Sequence, residues 1–181
     1  MRNLYILLFS CLPILACSQG KDNLKDKFSD YFLIGATINQ EDYQIIDKDE
    51  KVLKIVSENF NSLTPENSMK WMHSHPEYSK FTFSNAQKIT DFAKDNNMYL
   101  LGHTLVWHNQ VPEYISEIAD KAKFNLHLKN HIYQLVTRFK EKVNMWDVVN
   151  EALNDDGTLR ETVFLKMMGD DYIEKALQYA N

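Results

Sequence analysis

Cysteine is almost missing from this chain. Of 181 residues only Cys11 and Cys17 carry a thiol, and both fall within the first twenty positions. A disulfide framework for everything that follows is thereby excluded. Basic runs are absent too. Lys plus Arg number 20 against 25 Asp plus Glu, a net charge of −5, which excludes nucleic-acid or polyphosphate binding driven by charge. Beyond the start of the chain no apolar run approaches the roughly 18 residues of a membrane span, so a spanning protein is excluded. Glycine is scarce, with five in all. No G-x-G-x-x-G follows the first strand candidate and no G-x-x-x-x-G-K occurs, so a nucleotide fold lacks its fingerprint. No H-E-x-x-H, internal repeat or low-complexity stretch is present. What remains is an ordinary globular composition, 44% hydrophobic and 25% charged, in a chain long enough for one or two domains with a sizeable core.

The first residues set the compartment. Met1-Arg2-Asn3 carries one positive charge, an apolar run follows from Leu4 to Ala16, and Cys17-Ser18-Gln19-Gly20 comes next. This is the pattern of a secretory signal peptide over residues 1–16, and Pro13 argues against a buried helix there. Ile14-Leu15-Ala16-Cys17 resembles a bacterial lipoprotein box, which implies cleavage before Cys17 and a lipid anchor on it; simple cleavage without lipid is the rival. The expected location is outside the cytoplasm, either as a membrane-anchored lipoprotein (periplasmic or at the cell surface) or secreted. Cys17 and the polar stretch to Asp30 read as a tether, and a domain over 31–181 follows.

From Tyr31 onward strand and helix patterns alternate. Strands are expected at Phe32–Ile38, Phe60–Leu63, Tyr99–His103 and Val143–Val149. Helices are expected at Lys51–Glu58, at Ser84–Asn96 with Ser84 as N-cap, at Lys121–Phe139 and at Asp170–Ala180. Four βα units with near-continuous apolar strands imply a parallel α/β sheet, either open and doubly wound or part of a (β/α)₈ barrel. The unusual polar residues gather just past strand ends: Glu66-Asn67, then His103 to Gln110, then Asn150-Glu151. A barrel enzyme builds its site in that position.

Three stretches, LTPENSMKW (63–71), GHTLVWHNQ (102–110) and WDVVNEA (146–152), resemble glycoside hydrolase family 10, whose members are mostly endo-β-1,4-xylanases. Weaker echoes are DGTLR (156–160) and GDDYI (169–173). The resemblance runs from about Tyr31 to the end. It implies a (β/α)₈ TIM barrel of which this chain holds the first four βα units, and action on xylan or xylo-oligosaccharides with no cofactor and no metal. It also implies a monomer when complete. Glu151 becomes the general acid/base, a role that suits a carboxyl at the end of an apolar strand, where desolvation can raise its pKa. Asn150 becomes the contact to the sugar 2-hydroxyl. Glu66, Asn67 and Lys70 become the grip on the glycone sugar, and His103, Trp107 and Gln110 line the same cleft. Trp71 and Trp146 are read as packing. The His pairs 73/75, 103/108 and 127/131 lack a third ligand at a recognisable spacing.

Two departures from the family pattern occur. Tyr114 stands where a Trp is common, and no Gly precedes the fourth strand. The family's nucleophilic Glu lies in a Thr-Glu-Leu-Asp type motif of the seventh strand, and no such stretch precedes Asn181. A retaining mechanism needs that second carboxyl. The chain therefore reads as half an enzyme, inactive and aggregation-prone by itself, with two open sheet edges. The rival readings are a non-catalytic xylan-binding surface lipoprotein and an inactive fragment.

Overall fold

The computed structural model describes residues 23–181. The signal peptide, Cys17 and the first part of the tether lie outside the described residues. The last part of the tether holds one helical turn, α1 (Leu24–Lys27), tied to the body by a 2.6 Å hydrogen bond from Lys25 Nζ to the Ser57 carbonyl.

Four strands form one parallel sheet: β1 (Gly35–Ile38), β2 (Ser62–Pro65), β3 (Tyr99–Val106) and β4 (Met145–Val149). Their spatial order is their chain order, 1-2-3-4. A doubly wound sheet reverses direction at a switch point. This one does not, and its order is that of a barrel wall. Asparagine side chains tie neighbouring strands at their amino ends, with Asn61 Oδ1 accepting from Ile34 N and Asn144 Oδ1 from Leu100 N, both at 2.7 Å.

Between the strands run α2 (Ile45–Lys48), α3 (Glu50–Asn59), α4 (Trp71–Ser74), α5 (Ser84–Asp95), α6 (Glu113–Ser116) and α7 (Lys121–Phe139), and β4 is followed by α8 (Val163–Met168) and α9 (Tyr172–Ala180). The long helices sit where the 3.6-residue pattern places them. In α7, Phe124, Leu128, Ile132, Leu135 and Phe139 are buried on one face, and Asp120 caps the start by accepting from Lys123 N at 2.7 Å. Ser84 is not an N-cap. It is the first helical residue of α5, Phe83 occupies the cap position, and no side chain bonds the free N–H groups. The short helices α2, α4, α6 and α8 were not expected; four to six residues carry too little periodicity to show.

Two apolar clusters fill the space between sheet and helices. One gathers Ile38, Leu63 and Leu100 with Val56, Ile89 and Ala93 from α3 and α5. The other joins Leu105 and Val106 to α7, Phe164, Tyr172 and Ala176. Three histidines are buried with them. His131 stacks flat on Trp71, ring centroids 4.0 Å apart, and His75 stacks on Phe81 at 3.9 Å. His127 meets Tyr78 edge-on at 4.4 Å. Tyr114 carries the Trp71 indole, accepting from Nε1 at 3.0 Å, and burial pushes its phenol up to about 12. At this position, then, the tyrosine is a packing and hydrogen-bonding residue.

Gly102 and Trp146 are register partners on β3 and β4. The indole lies flat against the glycine, so a Cβ there would stand 2.4 Å from Trp146 Cε3. Gly102→Ala should therefore lower stability by about 1–3 kcal/mol, as overpacked cores do. A thermal melt of the variant that coincides with wild type would show that the indole is free to move.

Candidate active site

Chain reversal at the carboxyl ends of β2, β3 and β4 brings the marked polar residues to one rim. The loop after β2 is pinned by Glu66 N donating to the Ile38 carbonyl at 2.9 Å. It leaves Glu66 exposed and buries Asn67 and Lys70 at 8% and 7%. Lys70 Nζ donates to Asn67 Oδ1 at 2.9 Å and stands 4.6 Å above the centre of the Trp107 ring. Burial lowers the Lys70 pKa, and the carboxylates of Glu66, Glu41 and Glu151 offset part of that shift. Gln110 reaches the same Asn67 oxygen from the β3 side through a long contact of 3.5 Å. Its backbone is left-handed, φ 49°, and its carbonyl accepts from Met72 N at 2.9 Å.

The β3 side differs from expectation in one respect. His103 lies inside β3 rather than at its end, because the strand runs on to Val106 with a shift of register against β4 between His103 and Val106. The side chain still reaches the rim. Its register partner is Asp147, and His103 Nδ1 lies 2.9 Å from Asp147 Oδ2, the ring donating to the carboxylate. Trp107 follows the strand, half-buried, so it is not core. Its Nε1 donates to Glu151 Oε2 at 2.9 Å, and His108 Nε2 lies 3.8 Å from the same oxygen.

Asn150 and Glu151 leave β4 as expected, Asn150 N bonding the Val106 carbonyl at 2.9 Å. Glu151 has φ 51°, a backbone region that costs a non-glycine residue about 1–2 kcal/mol. Arg160 fixes that turn, its Nε donating to the Glu151 carbonyl at 3.1 Å and its Nη2 to the Leu153 carbonyl at 3.2 Å. Within these four strands Glu151 is open to solvent on one side. Its side chain is 50% exposed, since the four strands cover it from one side only. Thus Glu66, Asn67, Lys70, His103, Trp107, Gln110, Asn150 and Glu151 share one rim. Direct contacts join Asn67, Lys70, Trp107, Gln110 and Glu151, while the side chains of Glu66 and Asn150 form no hydrogen bond in that group.

Asp147, His108 and Arg160 were not singled out for the site from the sequence. Asp147 had a readable signal, because an acidic residue inside the apolar strand MWDVV demands a partner. His108 and Arg160 lie within stretches that carry the resemblance, but their contacts to Glu151 depend on how the loops turn.

Comparison with known proteins gives this geometry its context. The sequence pattern of Glycosyl hydrolase family 10 matches residues 23–181. Endo-1,4-beta-xylanase A of Caldicellulosiruptor saccharolyticus is 41% identical over 165 residues, 87% of this chain and 47% of that protein. Beta-1,4-xylanase of Dictyoglomus thermophilum is 43% identical over 182 residues, 98% of this chain and 50% of that protein. The crystal structure of xylanase 10B from Thermotoga petrophila RKU-1 in complex with xylobiose superposes with a TM-score of 0.82 at 41% identity, covering 87% of this chain and 49% of the other. The chain spans about half the length of the curated relatives it matches. Its four-stranded sheet corresponds to the first four βα units of the (β/α)₈ barrel. Sequence, sheet order and superposition agree, and the chain belongs to glycoside hydrolase family 10.

Proposed function

We propose that the whole protein is an endo-β-1,4-xylanase that cuts internal xylan linkages with retention of configuration, with Glu151 as general acid/base. The observation that carries this reading is the 2.9 Å hydrogen bond from Trp107 Nε1 to Glu151 Oε2, on a ring whose face also holds Lys70. A carboxyl is thereby held at the edge of an aromatic surface that offers a sugar an apolar face to stack on. The indole N–H occupies one carboxyl oxygen and leaves the other to give its proton to the leaving oxygen. Asn67 and Lys70 then hold the hydroxyls of the preceding sugar, and Asn150 meets the 2-hydroxyl next to the reacting carbon. A second carboxylate, from a strand of the barrel beyond these four, attacks the anomeric carbon, and water later releases the product with Glu151 acting as base.

The test is hydrolysis of xylan and of cellulose by the full-length protein, with xylan expected to be cut in preference. Lys70→Met removes a buried charge-assisted hydrogen bond worth about 1.5–3 kcal/mol. It should weaken xylo-oligosaccharide binding roughly 10–100-fold. Unchanged affinity would remove Lys70 from the glycone grip.

A further inference from the structure

One helix carries charge against the trend of the chain. From Lys121 to Lys140 there are five cations, Lys121, Lys123, Lys129, Arg138 and Lys140, and no Asp or Glu, in a protein whose net charge is −5. None of the five forms an ion pair among the described residues. Lys123 and Lys129 instead lie over tyrosine rings, 5.2 Å from the centre of Tyr78 and 5.6 Å from that of Tyr179. The carboxylates of Glu117 and Asp120 stand beyond Tyr78, in a separate depression at the start of the helix.

The outward side of α7 is apolar at its centre. Leu126 and Tyr133 are 65% and 58% exposed, and Tyr78 beside them is 54% exposed. On a helix of 3.6 residues per turn, Leu126, Tyr133 and Thr137 form one line, and the exposed Lys123, Lys129 and Lys140 flank it. A dip of about 420 Å³ lies among Tyr78, Phe81, Leu126 and Asn130, and a second of about 280 Å³ among Leu126, Lys129, Asn130 and Tyr133. No carboxylate lines either one. The core of the fold draws on the opposite side of the helix, where Phe124, Leu128, Ile132, Leu135 and Phe139 are buried. A single exposed leucine needs no explanation; Leu126 and two tyrosines grouped between unpaired cations do.

We propose that the outer face of α7 is a docking surface for an anionic phospholipid bilayer. The lysine ammonium groups meet headgroup phosphates, and their stems lie along the apolar centre. Leu126 reaches the first methylenes of the acyl chains, while Tyr78 and Tyr133 sit at headgroup level, where an amphipathic ring is best placed. The leader, read as a lipoprotein signal, would hold the chain at such a surface, and contact through α7 then sets how the body lies on it. Because α7 packs on the face of the sheet, against Leu105 and Val106, a bilayer on its outer side leaves the rim of the cleft open to a polymer. At physiological ionic strength charges are screened over about 8 Å, so the helix facing the bilayer decides the attraction and the acidic remainder of the chain does not.

The experiment uses the whole protein made without the leader and Cys17, so that neither can carry it to a membrane. It is sedimented at physiological salt with vesicles of phosphatidylglycerol mixed with phosphatidylcholine, and with vesicles of phosphatidylcholine alone. Binding is expected to the first only, and it should disappear at high salt. Lys129→Gln combined with Lys140→Gln should cut partitioning about 30-fold, the weight of two charges near an anionic surface. Leu126→Ser should cut it about fivefold through lost apolar contact. Lys48→Gln combined with Lys51→Gln, exposed on α2 and α3, should leave it unchanged. All these variants should melt with the parent protein, because the side chains concerned are exposed. Absence of binding to the anionic vesicles, equal binding by the α7 variants, or an equal loss in the Lys48 and Lys51 pair would overturn the proposal. So would retention in xylan gels that weakens in the α7 variants while no vesicle is bound, which would assign the face to polysaccharide.

Discussion

Glu151→Gln should lower turnover of polymeric xylan by the full-length protein about 10²- to 10⁴-fold, the range that a positioned general acid contributes. The amide keeps the shape of the side chain and can still accept from Trp107 Nε1, but it has no proton to give at neutral pH. Substrate affinity should change little, because binding falls to Asn67, Lys70 and the Trp107 ring. Stability gives an independent check. Glu151 sits at φ 51°, held there by Arg160 on its carbonyl. Glycine occupies that region without penalty. Glu151→Gly should therefore melt no lower than wild type while losing activity as fully as the amide variant. Strain kept at the proposed acid/base fits the way functional positions depart from the local rules. A glycine variant that melts well below wild type would mean that the glutamate side chain is there for structure.

Stability should begin to fall with acid above the range in which carboxylates titrate. His75, His127 and His131 are buried, and burial is the first cause lowering the pKa of each, His131 farthest. In the unfolded chain they take up protons near the ordinary value of 6.5, whereas the folded protein holds them neutral until lower pH. The unfolded state then binds more protons, so stability is full above about pH 6.5 and falls as pH drops toward the folded pKa values. Three such groups give a slope of up to about 4 kcal/mol per pH unit, at about 1.4 for each proton. Glu41, whose pKa burial raises, pulls weakly the other way. The lowered carboxyls of Asp47, Asp91 and Asp171 act only at still lower pH. Urea melts between pH 7.5 and 5 should show the decline, and His131→Gln should flatten the slope by about a third. Stability that stays level through pH 6 to 5 would mean that these rings are charged within the fold.

The order of four strands and the long helices was legible because each carries a period, and the motif residues were legible because they break it. Glu66, Asn67 and Glu151 follow apolar strands directly, and polar residues there have no packing purpose. The end of β3 was set too early, at His103, since the apolar run resumes only at Leu105-Val106 after two polar residues and nothing in the pattern says that the strand continues. His108 and Arg160 stood inside the resembling stretches, but their contacts to Glu151 were not legible, because a contact made across a loop leaves no mark on spacing.

Dependence of rate on leaving group tests the proton-donor role of Glu151 most directly. Aryl xylobiosides graded from activated to poor leaving groups would be hydrolysed by the full-length protein and by its Glu151→Ala variant. The variant should keep most of its activity on the most activated aglycones and lose steadily more as the aglycone becomes a worse leaving group, since only poor leaving groups need the proton. An equal loss across the whole series would contradict the account.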